Sequence, residues 1–326
     1  MFSFKGNDLY PLIFSASQKL YPIETPKDIV RRVRFLRRAH LHQHVLTHFF
    51  EQLHVHGYQC VLSQHAHVFG TVEWPYIHNQ WDVKRRFDAI LRHYQLIKSQ
   101  PSFLDVADAK PKKVLDLSEY SSGVSVVMDR ADWFRREGEI VLNLFKDDLR
   151  VESIAFTLAD LDGKLVLYVG AIQGIHANES SLEINKALTK DFEGLRPRSF
   201  VIELLRIISQ RIGAHKIYAI SDSNRHHRHP YFGNRHQDTL KTQYDLIWAE
   251  HGGGSDQNGF FAIPVDKKRK DLAEVSSHKR AMYRRRYEML DKIQEMVASL
   301  QCAIYATIMN KCLPLYPIGE VAQTFC

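Results

Sequence analysis

Cysteine is scarce in this chain of 326 residues. The four cysteines, Cys60, Cys302, Cys312 and Cys326, include no close C-x-x-C pair. Neither a disulfide framework nor a cysteine-based zinc site is therefore indicated. This scarcity fits a reducing compartment, and we expect the protein to be cytoplasmic.

The chain also lacks an apolar run of the ~18 residues that a membrane-spanning helix needs. The nearest stretch, residues 302–318, is interrupted by polar residues and by two prolines. The N-terminus reaches Asn7, Asp8 and Pro11 before a long apolar run forms, which is a poor secretory signal. We expect a cytoplasmic protein that can still attach peripherally to the inner membrane.

The composition is otherwise typical of a folded protein, with 44% hydrophobic and 25% charged residues. The net charge of +7, with 18 histidines counted as neutral, favours partners that carry phosphate. Three of these histidines, His40, His44 and His48, recur every fourth residue and so share one helical face. Because no acidic or cysteine ligand lies nearby, we expect a polar flank there and no metal site.

Helical periodicity dominates the first third of the chain. Residues 26–53 predict one amphipathic helix or two joined helices, with a core-facing stripe of apolar residues at intervals of mostly three to five: Ile29, Val33, Leu36, Leu41, Val45 and Phe49. Residues 81–98 predict another packed helix. Residues 99–113, rich in Asp, Lys and Pro, predict a junction between an N-terminal helical region, 1–113, and a second domain, 114–326.

Extended patterns follow the junction. Segments rich in β-branched and aromatic residues predict four successive strands: 124–128, 139–145, 151–158 and 165–172. Asp162-Gly163 predicts a tight hairpin between the last two, because both central positions of the favoured turn need positive φ.

The remaining elements alternate between helix and strand. Two helical segments separate the fourth strand from a fifth, and such a crossover favours parallel placement of the two strands. The predicted elements in this part are helices at 181–192 and 198–212, a strand at 215–221, a helix at 238–250, a last strand at 259–265 and a long basic helix from 276. The fold class predicted is α+β, with an N-terminal helical region, a mixed β-sheet with helices, and a long C-terminal basic helix.

The start of the 198–212 helix is a candidate anion site. Free backbone amides, the helix dipole, the guanidinium groups of Arg196 and Arg198, and the neighbouring Ser199 suit a phosphate or pyrophosphate. The alternative is ordinary helix initiation by Pro197. The segment also lacks the glycines that usually let a backbone wrap closely around phosphate.

Two glycines lie in or just after the fourth predicted strand. Gly170 and Gly174, with Gln173 between them, cost stability unless something approaches the backbone closely or the strand bends. Close approach by a bound ligand is one interpretation, and a β-bulge is the other.

Residues 221–230 follow the tip of the fifth predicted strand, and strand carboxyl ends often carry functional sites. Asp222 beside a group of histidines, with His226 the nearest candidate, suits general acid-base chemistry. A solvated, positively charged loop is the alternative, and metal binding by these groups is less favoured than either.

The long basic helix presents four cations away from its core-facing stripe: Lys279, Arg280, Arg284 and Arg285. Such a cluster can contact the phosphates of an anionic membrane, or less favourably those of nucleic acid. A helix face that is merely solvated remains the alternative.

Three segments occur in an order that resembles the VirK/YbjX family of Gram-negative bacterial proteins, a domain of unknown function: VGAIQG at 169–174, YDLIWAEHGG at 244–253 and SSHKRAMYRRRYEMLD at 276–291. The similarity extends from about Arg31 through Leu300, and the arginine-tyrosine run is its most specific element. In this chain His251 stands where the family pattern has a leucine-like residue. The resemblance implies an association with virulence, resistance to cationic antimicrobial peptides and the outer envelope, and it carries over no catalytic residues.

The predicted strand order, a meander followed by a helical crossover and late strands, is similar to the GNAT acyltransferase fold. This similarity implies an acyl- or aminoacyl-transferase acting on an envelope lipid or peptidoglycan precursor, with acyl-CoA or acyl-carrier protein as donor. Arg196 and Arg198 would hold the donor phosphates, Gly170 and Gly174 would admit its arm, and Asp222 or His226 would act as the base.

A second hypothesis is a non-catalytic regulator or adaptor that binds RNA or anionic membrane through the basic segment 267–286. The two hypotheses predict different structures. An open cleft between the strands near 169–174 and 215–221 favours the transferase, whereas a filled cleft favours the adaptor.

Overall fold

The computed structural model describes residues 9–108, 110–175, 179–233 and 242–300. These residues form an α+β structure around one eight-stranded mixed sheet, as predicted. Its α-helices are α1 (Leu9–Leu20), α2 (Pro26–Leu41), α3 (Gln43–Val55), α4 (Gln59–Gln64), α5 (His67–Gly70), α6 (Val83–Ile97), α7 (Glu179–Asp191), α8 (Pro197–Arg211), α9 (Tyr244–Glu250) and α10 (Ser277–Ser299). Its strands are β1 (Lys112–Asp116), β2 (Val124–Asp129), β3 (Ile140–Lys146), β4 (Leu149–Leu161), β5 (Lys164–Gly174), β6 (Lys216–Ile220), β7 (Gly254–Ser255) and β8 (Phe260–Ile263).

The N-terminal periodic segment forms two joined helices. Pro26 occupies the first position of α2, and the backbone N–H of Thr25 donates to Asp28 Oδ2 at 3.0 Å, which satisfies an otherwise free amide at the helix start. The core-facing stripe predicted for α2 is wrong at three positions: Ile29, Val33 and Leu41 are exposed. The buried residues are Phe35 and Ala39, because α2 packs mainly against α1 and α3 and buries only a narrow stripe.

The sheet has the strand order β1-β2-β3-β4-β5-β6-β8-β7. The first five strands form an antiparallel meander, and β6 lies parallel to β5, which confirms the placement predicted from the crossover. The hairpin between β4 and β5 is also confirmed, with φ of 52° at Asp162 and 76° at Gly163. Sequence analysis missed β1 and β7.

The predicted domain boundary at residue 113 falls inside β1, within a hydrophobic core that includes residues from both sides of it. Both faces of the central strands are covered, since Val151 to Ala159 are all buried and both α6 and α8 pack against β4. The division into two domains stays a prediction.

Strands β5 and β6 pair only over a short length. Their parallel register ends at Val169 and Ala219, whereas β5 continues to Gly174. A bulge occurs at the same point, because Phe156 pairs with Val169 and Ala155 pairs with Ala171, which leaves Gly170 as the extra residue. The final part of β5 therefore has an edge without a β6 partner.

Helix α9 fills the gap beside this edge. The Tyr244 hydroxyl accepts from the backbone N–H of Ile172 at 3.0 Å and donates to the Ile172 carbonyl at 3.1 Å. The Trp248 indole N–H donates to the Ile220 carbonyl at 2.9 Å, and both aromatic side chains are fully buried. The cleft between β5 and β6 is thus filled, and the backbone groups of Ile172 and the Ile220 carbonyl are satisfied by side chains of α9.

Helix α10 packs on α8 and buries Met289, Ile293 and Val297. Within the described ranges, no helix has the length and apolar character required to cross a membrane. Three features noted in the sequence lie outside the described residues. They are residues 302–318, the pair Asn7 and Asp8, and the start of the helix predicted at 238–250.

Candidate functional site

An open cavity of about 930 Å³ lies where β5 ends and α8 begins. Four of the residues predicted to bind a cofactor line it together: Gly174, Arg196, Arg198 and Ser199. Side chains from α7, α9 and α10 complete its wall. We call this space the α8 cavity.

The α8 cavity contains a buried carboxylate that sequence analysis missed. Arg198 Nε donates to Glu152 Oε1 at 3.2 Å, and Glu152 is 5% exposed. Gly174 leaves room for this carboxylate, because a Cβ there would lie 2.6 Å from Glu152 Oε2. Burial raises the pKa of Glu152, while the Arg198 guanidinium counteracts that rise. Among the described residues the Arg196 side chain has no hydrogen-bond or ion-pair partner, so it is the more available cation for a ligand.

A second cavity, of about 970 Å³, adjoins the first and shares Gly194, Arg196 and Ser199 with it. It lies between α8, α10 and the segment 265–270, and we call it the basic groove. Its lining includes eight lysines or arginines but only two glutamates, Glu203 and Glu250.

Several cations of the basic groove are available to a ligand. Arg269 pairs with Asp291, and Arg206 pairs with Glu203. In contrast, the side chains of three lysines make no hydrogen bond or ion pair within the described ranges: Lys268, Lys270 and Lys279. The rings of Tyr283 and Tyr287 lie along the same groove. The arrangement combines unneutralised positive charge with aromatic surface.

The arginine run of α10 holds the turn that precedes α8. Arg285 forms a two-point ion pair with Glu193, with distances of 2.8 and 2.9 Å. Arg286 donates through Nε and Nη2 to the Glu193 carbonyl at 2.8 and 2.7 Å. Arg280 donates to the Val275 carbonyl at 2.9 Å, and Arg284 is exposed. Of the four cations predicted to contact phosphate, Lys279 lines the basic groove and Arg285 lines the α8 cavity.

A separate polar cluster brings together two further predicted residues, the exposed Gln173 and the buried His226. Gln173 Nε2 donates to the Glu137 carboxylate at 3.4 Å, and His226 Nδ1 lies 3.8 Å from Glu137 Oε1. Burial raises the pKa of Glu137 to about 8, although Arg225 and Arg136 oppose the rise. Burial holds the pKa of His226 well below its usual value.

This cluster is also where a metal ion would find ligands. Glu137, His226 and His227 each offer one ligand atom, and these atoms lie within 4.8 Å of one another. One carboxylate with two imidazoles is a donor set that zinc accepts. The guanidinium groups of Arg136 and Arg225, which act electrostatically on Glu137, disfavour an added cation.

The predicted residues do not form one site. Neighbouring residues of a strand point to opposite faces, so Gln173 with its cluster and Gly174 with the α8 cavity lie on different sides of the sheet. Asp222 belongs to neither: its backbone N–H donates to Asp245 Oδ1 at 2.7 Å, and its Oδ2 accepts from the Asp245 N–H at 3.2 Å. Both predicted bases, Asp222 and His226, are therefore outside the lining of the α8 cavity.

The close approach predicted at Gly170 is made by the chain itself. A Cβ at this position would lie 2.1 Å from the carbonyl oxygen of Glu137. We expect Gly170→Ala to lower the free energy of unfolding by about 2 kcal/mol, as overpacking does. Chemical denaturation followed by circular dichroism measures this change. Gly254→Ala is the control, because nothing lies within 4 Å of its Cβ position; equal stability of the two variants would contradict the steric argument.

The fold and these features define an α+β protein with a basic groove beside the first turn of a sheet-packed helix. A family profile described as "Protein of unknown function (DUF535)" matches residues 24–299, and the chain belongs to this family. It is similar to the uncharacterized protein YbjX of Escherichia coli K12, with 28% identity over 279 residues, 82% of this chain and 83% of that protein. The resemblance to the VirK/YbjX family is thereby confirmed.

Two relatives of lower identity also cover most of this chain. Two uncharacterized proteins of Haemophilus influenzae are 24% and 22% identical over 283 and 289 residues, each covering 86% of this chain and 93% and 95% of the relative. No solved structure matches the chain.

Proposed function

We propose that the protein binds a phosphate-bearing small molecule in the basic groove and the adjoining α8 cavity. The observation that carries this proposal is the excess of cations in the groove, three of which have no partner among the described residues. Taking the protein to be cytoplasmic, we assign it a binding or adaptor role in envelope metabolism.

The size and chemistry of the groove support a small ligand. Cavities of ~300–1,000 Å³ are typical of small-molecule sites, and each of these two lies in that range. The first turn of α8 adds the positive end of a helix dipole next to Arg196. Tyr283 and Tyr287 add aromatic surface to the groove, with the guanidinium groups of Arg286 and Arg269 lying over their rings at 4.4 and 4.9 Å from the centroids.

Acyl transfer is a second candidate, favoured by Glu152 at the α8 cavity. The strand order also supports a GNAT-like fold, with a meander, a parallel β5-β6 pair and an antiparallel β8. In such a reaction the amine nitrogen attacks the thioester carbonyl, the C–S bond breaks, and Glu152 passes the amine proton to the departing thiolate. The filled β5-β6 cleft favours binding without transfer, because Tyr244 occupies the edge that a donor would contact.

Calorimetric titration tests both candidates. We expect pyrophosphate, coenzyme A or palmitoyl-CoA to bind, and Lys268→Glu/Lys270→Glu/Lys279→Glu to weaken binding by at least roughly tenfold through lost charge-assisted contacts. Arg196→Ala should weaken it as well. Binding should also weaken as salt is added.

A matched control carries the same charge changes elsewhere. Lys27, Lys110 and Lys164 are exposed and outside both cavities, so reversing all three should leave the affinity nearly unchanged. Equal losses in both triple variants, or no binding of any of the three probes by the unaltered protein, would overturn the proposal. Release of free thiol from palmitoyl-CoA with an amine acceptor, lost in Glu152→Gln, would replace it with the transferase. Tighter binding of single-stranded RNA than of any small probe would replace it with an RNA-binding role.

A further inference from the structure

Exposed apolar side chains are concentrated on the first two helices. Of the thirteen large hydrophobic side chains that are exposed in the described residues, seven lie between positions 10 and 41: Tyr10, Phe14, Ile23, Ile29, Val30, Val33 and Leu41. Val30 is 68% exposed and Val33 is 59% exposed. Single exposed hydrophobics need no explanation, but such a concentration does.

These side chains share a surface. Ile29 and Val33 are four residues apart and Val30 and Val33 are three apart, so all three occupy one side of α2, away from the buried Phe35. On α1, Tyr10 and Phe14 are likewise four residues apart and both exposed.

Contacts between the helices join the two stripes. The Tyr10 hydroxyl donates to Gln43 Oε1 at 3.0 Å and lies 3.4 Å from His40 Nδ1. His40 is seven residues after Val33 and therefore lies on the same side of α2. We define the α1-α2 patch as Tyr10, Phe14, Ile29, Val30 and Val33.

Basic side chains flank the α1-α2 patch. Helix α2 carries six lysines or arginines and one aspartate. Several arginines have partners: Arg31 bonds to Asp28, Arg32 to the Tyr21 carbonyl and Arg34 to Glu73. Arg37 and Arg38 are exposed and make no hydrogen bond or ion pair through their side chains in the described part of the chain.

We propose that the α1-α2 patch docks the protein onto an anionic membrane surface, with its apolar side chains at the acyl boundary and the arginines of α2 against lipid phosphates. A helix with exposed apolar residues and basic flanks is the arrangement that lies in a membrane interface. A second copy of the chain is disfavoured as the occupant, because two such positive faces would repel. This inference is independent of the ligand proposed for the basic groove.

Co-sedimentation with lipid vesicles tests the inference on the full-length protein. We expect binding to phosphatidylcholine vesicles that contain phosphatidylglycerol and much weaker binding to phosphatidylcholine alone. The triple variant Phe14→Ser/Val30→Ser/Val33→Ser should lower the partition coefficient by roughly tenfold or more, because apolar burial contributes to interfacial binding. Since the three side chains are exposed, the melting temperature should change little.

The chain offers a closely matched control. Val55, Leu161 and Leu246 are also exposed, at 70%, 38% and 64%, and lie outside α1 and α2. Their triple serine variant should bind vesicles as the unaltered protein does. Equal binding by both triple variants would overturn the inference, as would absence of binding to both kinds of vesicle.

A membrane contact through the basic groove and a dimer formed through the patch give different results. Binding that is lost in Lys268→Glu/Lys270→Glu/Lys279→Glu but kept in the patch variant would move the membrane contact to the basic groove and overturn the inference. A dimer seen by light scattering that dissociates only in the patch variant would show that a second copy covers the patch, and would overturn it too. The results of these vesicle and light-scattering experiments do not depend on whether small phosphate ligands bind in the basic groove.

Discussion

Replacing Arg130 by methionine is expected to lower the free energy of unfolding by about 3–5 kcal/mol, because it leaves a buried carboxylate without its cation. Arg130 Nη2 lies 2.5 Å from Glu139 Oε2, and both side chains are nearly inaccessible, at 2% and 1% exposure. Glu139 also accepts hydrogen bonds from Tyr76 at 3.0 Å and from Tyr94 at 2.8 Å. Urea denaturation monitored by circular dichroism measures the change.

Two comparisons isolate this buried charge. In Arg130→Met/Glu139→Gln a neutral amide replaces the carboxylate, so part of the lost stability should return. In Arg92→Met, which breaks a partly exposed pair with Asp160, the loss should stay below about 1 kcal/mol. A loss below about 1 kcal/mol in Arg130→Met itself would show that Glu139 is satisfied without its partner.

This network also bears on the organisation of the chain. Tyr76 and Tyr94 come from the N-terminal helical region, whereas Arg130 and Glu139 adjoin the first half of the sheet. The buried polar groups thus join the two parts that the sequence pattern divides at residue 113. A cooperative, single unfolding transition that shifts as a whole in Arg130→Met is the expected behaviour of such a linkage.

The parts of the fold that could be predicted depend on local physics. Strand segments show β-branched alternation, Asp162-Gly163 meets the φ requirement of a hairpin, and two helices between strands impose a crossover. Helical periodicity identifies faces but not which face is buried, and α2 has apolar residues on two sides. The pattern therefore predicts a buried stripe at Ile29 and Val33, whereas both side chains are exposed in the structure.

The candidate site could be predicted only where its residues are close in sequence. Arg196, Arg198 and Ser199 begin one helix and line one cavity. Glu137 and Glu152 carry no local signal, because they are isolated carboxylates brought near Gln173 and Arg198 by tertiary packing. The filling of the β5-β6 cleft by Tyr244 depends on how α9 docks, which no spacing along the chain reveals.

Acidification should destabilise the protein strongly between about pH 7.5 and pH 5.5, since three buried histidines resist protonation in the folded state. Burial lowers the pKa of His65, His93 and His251 to about 3 each, with a further reduction by Arg130 for the first two and by Lys267 and Arg206 for His251. In the unfolded chain a histidine has a pKa of about 6.5. Below that pH the unfolded state binds protons that the folded state does not, so falling pH favours unfolding.

The expected loss is about 1.4 kcal/mol per histidine at about pH 5.5, or about 4 kcal/mol for the three. Burial lowers the pKa of His67 and of His226 as well, which adds to the loss. Glu137 opposes it, because its pKa of about 8 lets the folded state gain a proton as pH falls. The difference between a variant and the unaltered protein removes this opposing contribution, and His251→Leu is the variant of choice.

His251→Leu removes one histidine that is 5% exposed. Between about pH 7.5 and pH 5.5 its loss of stability should be about 1.4 kcal/mol smaller than that of the unaltered protein. His40→Gln, at an exposed position on α2, should follow the unaltered profile. Urea denaturation at both pH values gives the free energy of unfolding of all three proteins. Parallel profiles for His251→Leu and the unaltered chain would mean that His251 is protonated in the folded state.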